Sequence, residues 1–183
     1  MQTEQLYRLF LQHPSVQTDT RLLQPGDLFF ALKGPNFNGN LFAGQALEKG
    51  AAAVIVDEAT GIDSPKIIRV DDALTALQQL AKHHRLQFKI PVLAITGSNG
   101  KTTTKELIRD VLAQKYKVTA TIGNLNNHIG VPLTLLSIPK DCEFAVIEMG
   151  ANHQGEIASY CKYAEPDFAL ITNIGKAHLE GFG

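Results

Sequence analysis

At 183 residues and 44% hydrophobic side chains, the chain can bury one large core or two small ones. A formal net charge of -1 argues against a nucleic-acid or anionic-membrane surface. Two cysteines without CxxC spacing, Cys142 and Cys161, exclude a disulfide framework and a thiolate metal site, and read as buried thiols in a reducing cytosol. The N-terminal stretch has a helical apolar pattern (Leu6, Leu9, Phe10) and no basic region followed by an apolar run. No stretch reaches the ~18 apolar residues of a membrane span. These features predict a soluble, cytoplasmic protein with no membrane span.

Residues 28–32, LFFAL, predict a strand. Residues 41–50 predict a helix closed by Gly50. Two further strands follow at 51–56 and 66–70. Asp71 is the expected N-cap of a helix running to Arg85, with Leu74, Leu77, Ala81 and His84 on its buried stripe. This alternation predicts an α/β unit. After a connector, the pattern restarts. Residues 92–96, VLAIT, are almost wholly apolar, as in a parallel strand covered on both faces. Residues 142–150 and 166–175 repeat that character. The fold class is therefore α/β, with a boundary near 86–90 and a second, parallel-sheet domain after it. The chain stops at Gly183, soon after its third clear core strand, so the second domain is expected to be cut short.

Between strand 92–96 and a helix stands GSNGKTT. Gly97 and Gly100 let the backbone turn tightly and approach an anion. The first N–H groups of the following helix point at that anion. Lys101 adds positive charge, and the Thr102 hydroxyl can complete a magnesium shell. Gly97, Ser98, Asn99, Gly100, Lys101, Thr102 and Thr103 are thus candidate nucleotide-binding residues. Leu107, Ile108, Val111 and Leu112 are expected to form the buried stripe of the helix. The match to the full phosphate-loop pattern is imperfect, because Ile95 stands where the first glycine belongs. A turn after a strand with a surface lysine is the plain alternative.

A phosphate loop holding Mg²⁺ needs an acid nearby. Glu148 ends a strand on the same sheet edge as the loop, so magnesium coordination is expected of it. A solvated strand-end acid is the competing reading. His178 falls just past that edge and is a candidate second-metal ligand, although a lone histidine is more often a surface residue. Residues 121–136 pack Asn124, Asn126, Asn127 and His128 between glycines. Such a loop suits turns, and it also presents amide donors and acceptors to a ligand.

The segments TDTRLLQPGDLFFALKG, TGSNGKTTTKELI, GNLNNHIGVPLTLL, VIEMGANHQGEI and TNIGKAHLEGFG together resemble the Mur ligase family. These are ATP-dependent amino-acid ligases of peptidoglycan precursor synthesis, and they use the shortened phosphate loop. The resemblance covers essentially the whole chain. It is strongest to the branch that joins D-alanyl-D-alanine to UDP-N-acetylmuramoyl-tripeptide. It implies a UDP-sugar-substrate domain over residues 1–86 and the N-terminal part of an ATP-binding domain over 90–183, with a third domain absent. It also implies a carbamylated lysine beyond AHLEGFG, which the chain does not reach. The chain alone is therefore expected to be an inactive, monomeric fragment.

The resemblance further implies ATP and Mg²⁺ as cofactors. Lys101 would contact phosphates, Thr102 and Glu148 would hold one Mg²⁺, and His178 the second. Lys101, Glu148 and His178 are accordingly the catalytic candidates. Asn126, Asn127 and His128 would line the junction of ATP and substrate. In the first domain, Thr20 and Arg21 stand in a D-T-R variant of the usual D-S-R. Asn40 replaces the histidine of the usual D-G-H. Lys33 and Gly34 are further substrate-binding candidates. The implied mechanism is attack of the tripeptide carboxylate on the ATP γ-phosphate to give an acyl phosphate, then displacement of phosphate by the dipeptide amine. The alternatives are another ligase of this superfamily, or a UDP-sugar- and ATP-binding module without catalysis. No kinase or guanine-reading signature is visible.

Overall fold

The computed structural model describes residues 3–175. It divides into two compact units, Met1–His83 and His84–Gly183. Each is a mixed α/β unit built on a four-stranded parallel sheet.

In the first unit the elements are α1 (Thr3–Gln12), β1 (Val16–Gln17), β2 (Leu28–Phe30), β3 (Lys33–Gly34), β4 (Phe37–Asn38), α2 (Ala43–Glu48), β5 (Ala53–Val56), β6 (Ile67–Arg69) and α3 (Ala73–Arg85), whose last two residues, His84 and Arg85, belong to the second unit. The sheet order is β1-β2-β5-β6, and β3 and β4 form a small antiparallel hairpin. β2 and β5 are buried throughout because neighbours cover both of their faces. Phe29, Val54 and Val56 pack with Ala43 and Ala46 of α2. By alternation, Leu28, Phe30 and Ile55 point to the opposite face. The helix expected over 41–50 is shorter, because residues 39–42 form a 3₁₀ turn and Leu41 is exposed. Gly50 does close it, with φ +86°. The α3 N-cap is Asp72 rather than Asp71. Its Oδ1 accepts the Thr75 N–H at 2.6 Å, which only the residue three positions ahead can do.

The second unit carries β7 (Val92–Thr96), α4 (Lys101–Leu112), β8 (Val118–Ala120), α5 (Gly130–Leu136), β9 (Phe144–Glu148), α6 (Glu156–Ala164) and β10 (Phe168–Ile171). The order β10-β7-β9-β8 places β7 and β9 side by side, with Ile95 opposite Glu148. All four strands run the same way, so their C-terminal ends share one edge.

Four expectations fail here. β10, the edge strand beside β7, is exposed along its whole length. On α4, Leu107 and Val111 are exposed, and the buried residue is Lys105. Residues 130–136, expected as loop, are helical. Pro132 sits in the first turn, where its missing N–H costs nothing. Cys142 is buried, but Cys161 is only partly so. Among the described residues, no helix is long and apolar enough to cross a membrane.

Candidate functional site

The shared strand edge of the second unit gathers most of the candidates. After Thr96 the chain turns through Gly97 and Gly100, with φ of +133° and +78°. A side chain on Gly97 would overlap the Thr172 hydroxyl and press on the Asn173 backbone. That close approach is what the glycine permits. The loop is then zipped to the segment after β10. The Ser98 N–H donates to Asn173 O (3.1 Å), the Asn99 N–H to Asn173 Oδ1 (3.0 Å) and the Thr172 hydroxyl to Asn99 O (2.6 Å). So Ser98 and Asn99 spend their amides on the protein. The anion-facing donors are the first N–H groups of α4, at Lys101, Thr102 and Thr103, which have no intrahelical acceptor. The Lys101 ammonium folds back onto Gly97 O (2.7 Å) and Ser98 O (3.2 Å).

Gly97→Ala is expected to cost about 1–3 kcal/mol, from backbone strain and overlap together. Thermal melting checks this. Adding Thr172→Ala should relieve the overlap with the hydroxyl and leave the strain and the pressure on the Asn173 backbone.

Glu148 lies at the C-terminal end of β9 and is 1% exposed. Its Oε1 accepts from the Thr102 hydroxyl (3.2 Å) and from Asn126 Nδ2 (2.8 Å). Its Oε2 is buried without a hydrogen-bond partner. A carboxylate that is buried and only half satisfied is costly unless something else completes it. The Thr102 hydroxyl and the strand-end acid, whose Oε2 has only the Lys105 ammonium at 3.9 Å, fit a divalent cation. Among the described residues, no three His, Cys, Asp or Glu side chains gather. One carboxylate, one hydroxyl and the oxygens of a bound phosphate match Mg²⁺, which rarely takes an all-protein cage.

Asn126 approaches this acid because the Gly150 N–H donates to its backbone oxygen at 2.7 Å. Asn127 does different work. Its Oδ1 accepts the N–H groups of Ile129 and Gly130, at 3.0 and 2.8 Å, and so starts α5. His128 is exposed, and its backbone bonds the Tyr160 phenol of α6. Burial, with Glu156 nearby, pushes Tyr160 up to about 12, so it stays a neutral anchor for this loop. His178 lies outside the described residues.

The first-unit candidates are tied into their own unit. Thr20 is buried and donates to Gln45 Oε1 (2.7 Å). Lys33 pairs with Asp57 and Glu58, each at 3.2 Å. Gly34 is exposed in β3. Asn40 is a structural lock. Its Nδ2 donates to Asn38 Oδ1 and Asp57 Oδ1, and its Oδ1 accepts the N–H groups of Asp57 and Glu58. That exhausts the hydrogen-bonding capacity of its amide. A cavity of about 360 Å³ beyond β5 and β6 is lined by Glu58, Ile62, Ile67 and Arg69 among others, and by none of these five candidates.

Arg21 is exposed and forks onto Asp19. Hydrogen bonds from Arg21 hold the Asp19 carboxyl down to about 2, against an ordinary 3.8. The folded value lies below the unfolded one. The pair therefore stabilises above about pH 4, and its contribution fades as pH falls toward 2. An NMR titration should find the Asp19 midpoint near 2 and return it toward 3.8 in Arg21→Ala.

Residues 95–183 match the Mur ligase middle domain, and residues 14–85 match a domain described as Mur ligase family, catalytic domain. The chain belongs to the Mur ligase family. It is 49% identical over 170 residues to the UDP-N-acetylmuramoyl-tripeptide–D-alanyl-D-alanine ligase of Bacillus subtilis (strain 168). It is 49% identical over 169 residues to the Escherichia coli (strain K12) enzyme of the same name. Each match takes in 92% of this chain and 37% of the relative, so the chain spans little more than a third of their length. A crystal structure of MurF from Acinetobacter baumannii superposes with a TM-score of 0.87 at 39% identity, covering 97% of this chain and 42% of that one. MurF ligase from Thermotoga maritima, solved in complex with ADP, gives 0.83 at 39% identity, over 92% and 39%.

Three residues around Glu148 and the loop were not singled out from the sequence. Lys105 is buried beside Glu148. Thr121 accepts the Glu148 N–H on its hydroxyl at 2.9 Å. Asn173 holds the loop amides. Only Lys105 had a signal, since it follows Lys101 by one helical turn and so shares its face.

Proposed function

We propose that this chain supplies the nucleotide site and the UDP-substrate unit of an ATP-dependent ligase. The reaction joins D-alanyl-D-alanine to UDP-N-acetylmuramoyl-tripeptide. The observation that carries this is Glu148, buried at the phosphate loop with Thr102 and Asn126 on one oxygen and no hydrogen bond on the other. The printed names of the relatives supply the substrates. A cytoplasmic, monomeric chain without a nucleic-acid partner goes with this function.

The first N–H groups of α4 and the Lys101 ammonium would bind the nucleotide phosphates. Thr102 and Glu148 would hold Mg²⁺, and Asn126 keeps the carboxylate turned toward Thr102. Mg²⁺, when bound, would neutralise phosphate charge and polarise the γ-phosphoryl group. A tripeptide carboxylate oxygen then bonds to the γ-phosphorus as the bond to ADP breaks. The dipeptide amine next attacks the acyl carbon, loses its proton and expels inorganic phosphate. The protein's share is charge neutralisation and orientation.

Calorimetric titration with Mg·ADP, and separately with UDP-N-acetylmuramoyl-tripeptide, tests this function. Saturable binding of both is expected. Mg·ADP binding that is indifferent to Mg²⁺ would remove Glu148 from its role. No binding of the UDP-tripeptide would return the first unit to the wider superfamily.

A further inference from the structure

Lys105 has no part in the reaction above, yet it is 0% exposed. Its ammonium donates to the backbone oxygen of Thr121 at 2.6 Å and lies 2.8 Å from Glu106 Oε1. It also stands 3.9 Å from Glu148 Oε2. That separation is too long for a hydrogen bond but short enough for strong charge coupling where water is excluded. A lysine serving only to pair with Glu148 would close to bonding distance. This one is held back by Thr121 O, and the same Thr121 grips the Glu148 backbone N–H through its hydroxyl. The carboxylate is thus fixed from behind at Oε2 by charge alone, while Thr102 and Asn126 meet it at Oε1.

We propose that Lys105 is a positioning residue that balances the Glu148 charge, so that a divalent cation binds at this site with nucleotide phosphate and not alone. Glu106, the nearer partner of Lys105, is paired in turn with Arg109, so the buried ammonium still offsets the Glu148 charge and leaves a weak cation site by itself. Phosphate oxygens arriving over the α4 N-terminus bring the missing negative charge. This rests on the assignment of Glu148 to the cation, and the experiment separates the two.

Mn²⁺ can stand in for Mg²⁺, with free Mn²⁺ followed by electron paramagnetic resonance, with and without ADP. The full chain would be compared with Lys105→Met, Lys105→Gln and Lys105→Arg. In the unsubstituted chain, ADP should tighten Mn²⁺ binding by at least about tenfold. In Lys105→Met and Lys105→Gln, Mn²⁺ alone should bind about tenfold tighter, and ADP should add less. Lys105→Arg keeps the charge and should behave like the parent. Folded Met and Gln variants with Mn²⁺ affinity within about twofold of the parent would overturn the role of Lys105. If those variants fail to melt cooperatively, the unsubstituted chain still decides, because Mn²⁺ binding as tight without ADP as with it overturns the proposal. Mn²⁺ binding that survives Glu148→Gln overturns the Glu148 assignment itself, and the Lys105 role with it.

Discussion

Glu148→Gln is expected to lower the affinity for Mg·ADP by about 100-fold or more, since even outer partners of a metal site change affinity 10–100-fold. Affinity for metal-free ADP should stay within about threefold, because the α4 N-terminus and Lys101 are untouched. Glutamine keeps the shape of the side chain and an oxygen for Thr102 and Asn126, but it gives up the charge. It also leaves the Lys105 ammonium buried without its second carboxylate. Breaking a buried ion pair from one side costs about 3–5 kcal/mol in the strong case. Here Lys105 retains Glu106 and Thr121 O, so a loss nearer 1–2 kcal/mol is expected. Calorimetry with and without Mg²⁺, alongside a melting curve, resolves the two effects. Equal losses for Mg·ADP and metal-free ADP would show that the carboxylate serves the loop and not a cation.

Arg85→Ala should destabilise the second unit by about 3 kcal/mol. Arg85 is buried at the end of α3, and its guanidinium closes several open ends at once. Nε donates to Ala164 O (3.1 Å), one terminal nitrogen to Phe88 O (3.0 Å), and the other to Glu165 O (3.2 Å) and Asp167 Oδ2 (3.3 Å). Ala164 and Glu165 end α6, where carbonyls lack helical partners and Glu165 takes φ +41°. Asp167 Oδ2 also accepts the Val92 N–H at 2.8 Å, so the same carboxylate joins the starts of β7 and β10. The Asp167 side chain is 48% exposed, so its ion pair contributes little, and the stranded carbonyls dominate the loss. For a unit of this size the melting midpoint should fall by about 10 °C or more. Arg85→Lys can reach only one or two of these acceptors and should fall between. Arg85→Met fills the space without donors. Should it melt like the parent, packing and not hydrogen bonding is what Arg85 supplies.

The strands were readable from the chain because a parallel sheet demands continuous apolar runs. LFFAL, AAAVIV and VLAIT need no knowledge of their neighbours to be recognised. The turn between β7 and α4 was equally readable, since its glycines and the helix start after it are local chemistry. The position of Glu148 on the loop's edge followed from one topological rule about parallel strands.

What failed depended on distant partners. Leu107 and Val111 have the spacing of a buried stripe, and the same period puts Lys105 on the α4 surface that is actually covered. A lysine goes inside only where acceptors wait for it, and Thr121 O and the two carboxylates are supplied by other segments and by the next residue. FALI reads like VLAIT, yet as β10 it is exposed along its whole length. Asn40 and Asn127, read as ligand-facing amides, are taken up by backbone and side-chain partners that no spacing announces. Sequence alone therefore determined the class of fold, the glycine-bearing loop between β7 and α4 and the acid beside it, because those rest on period, φ and strand direction. Tertiary structure alone decided which charges are buried, which amides are spent and which apolar faces are covered, because burial is settled by the neighbours a residue meets.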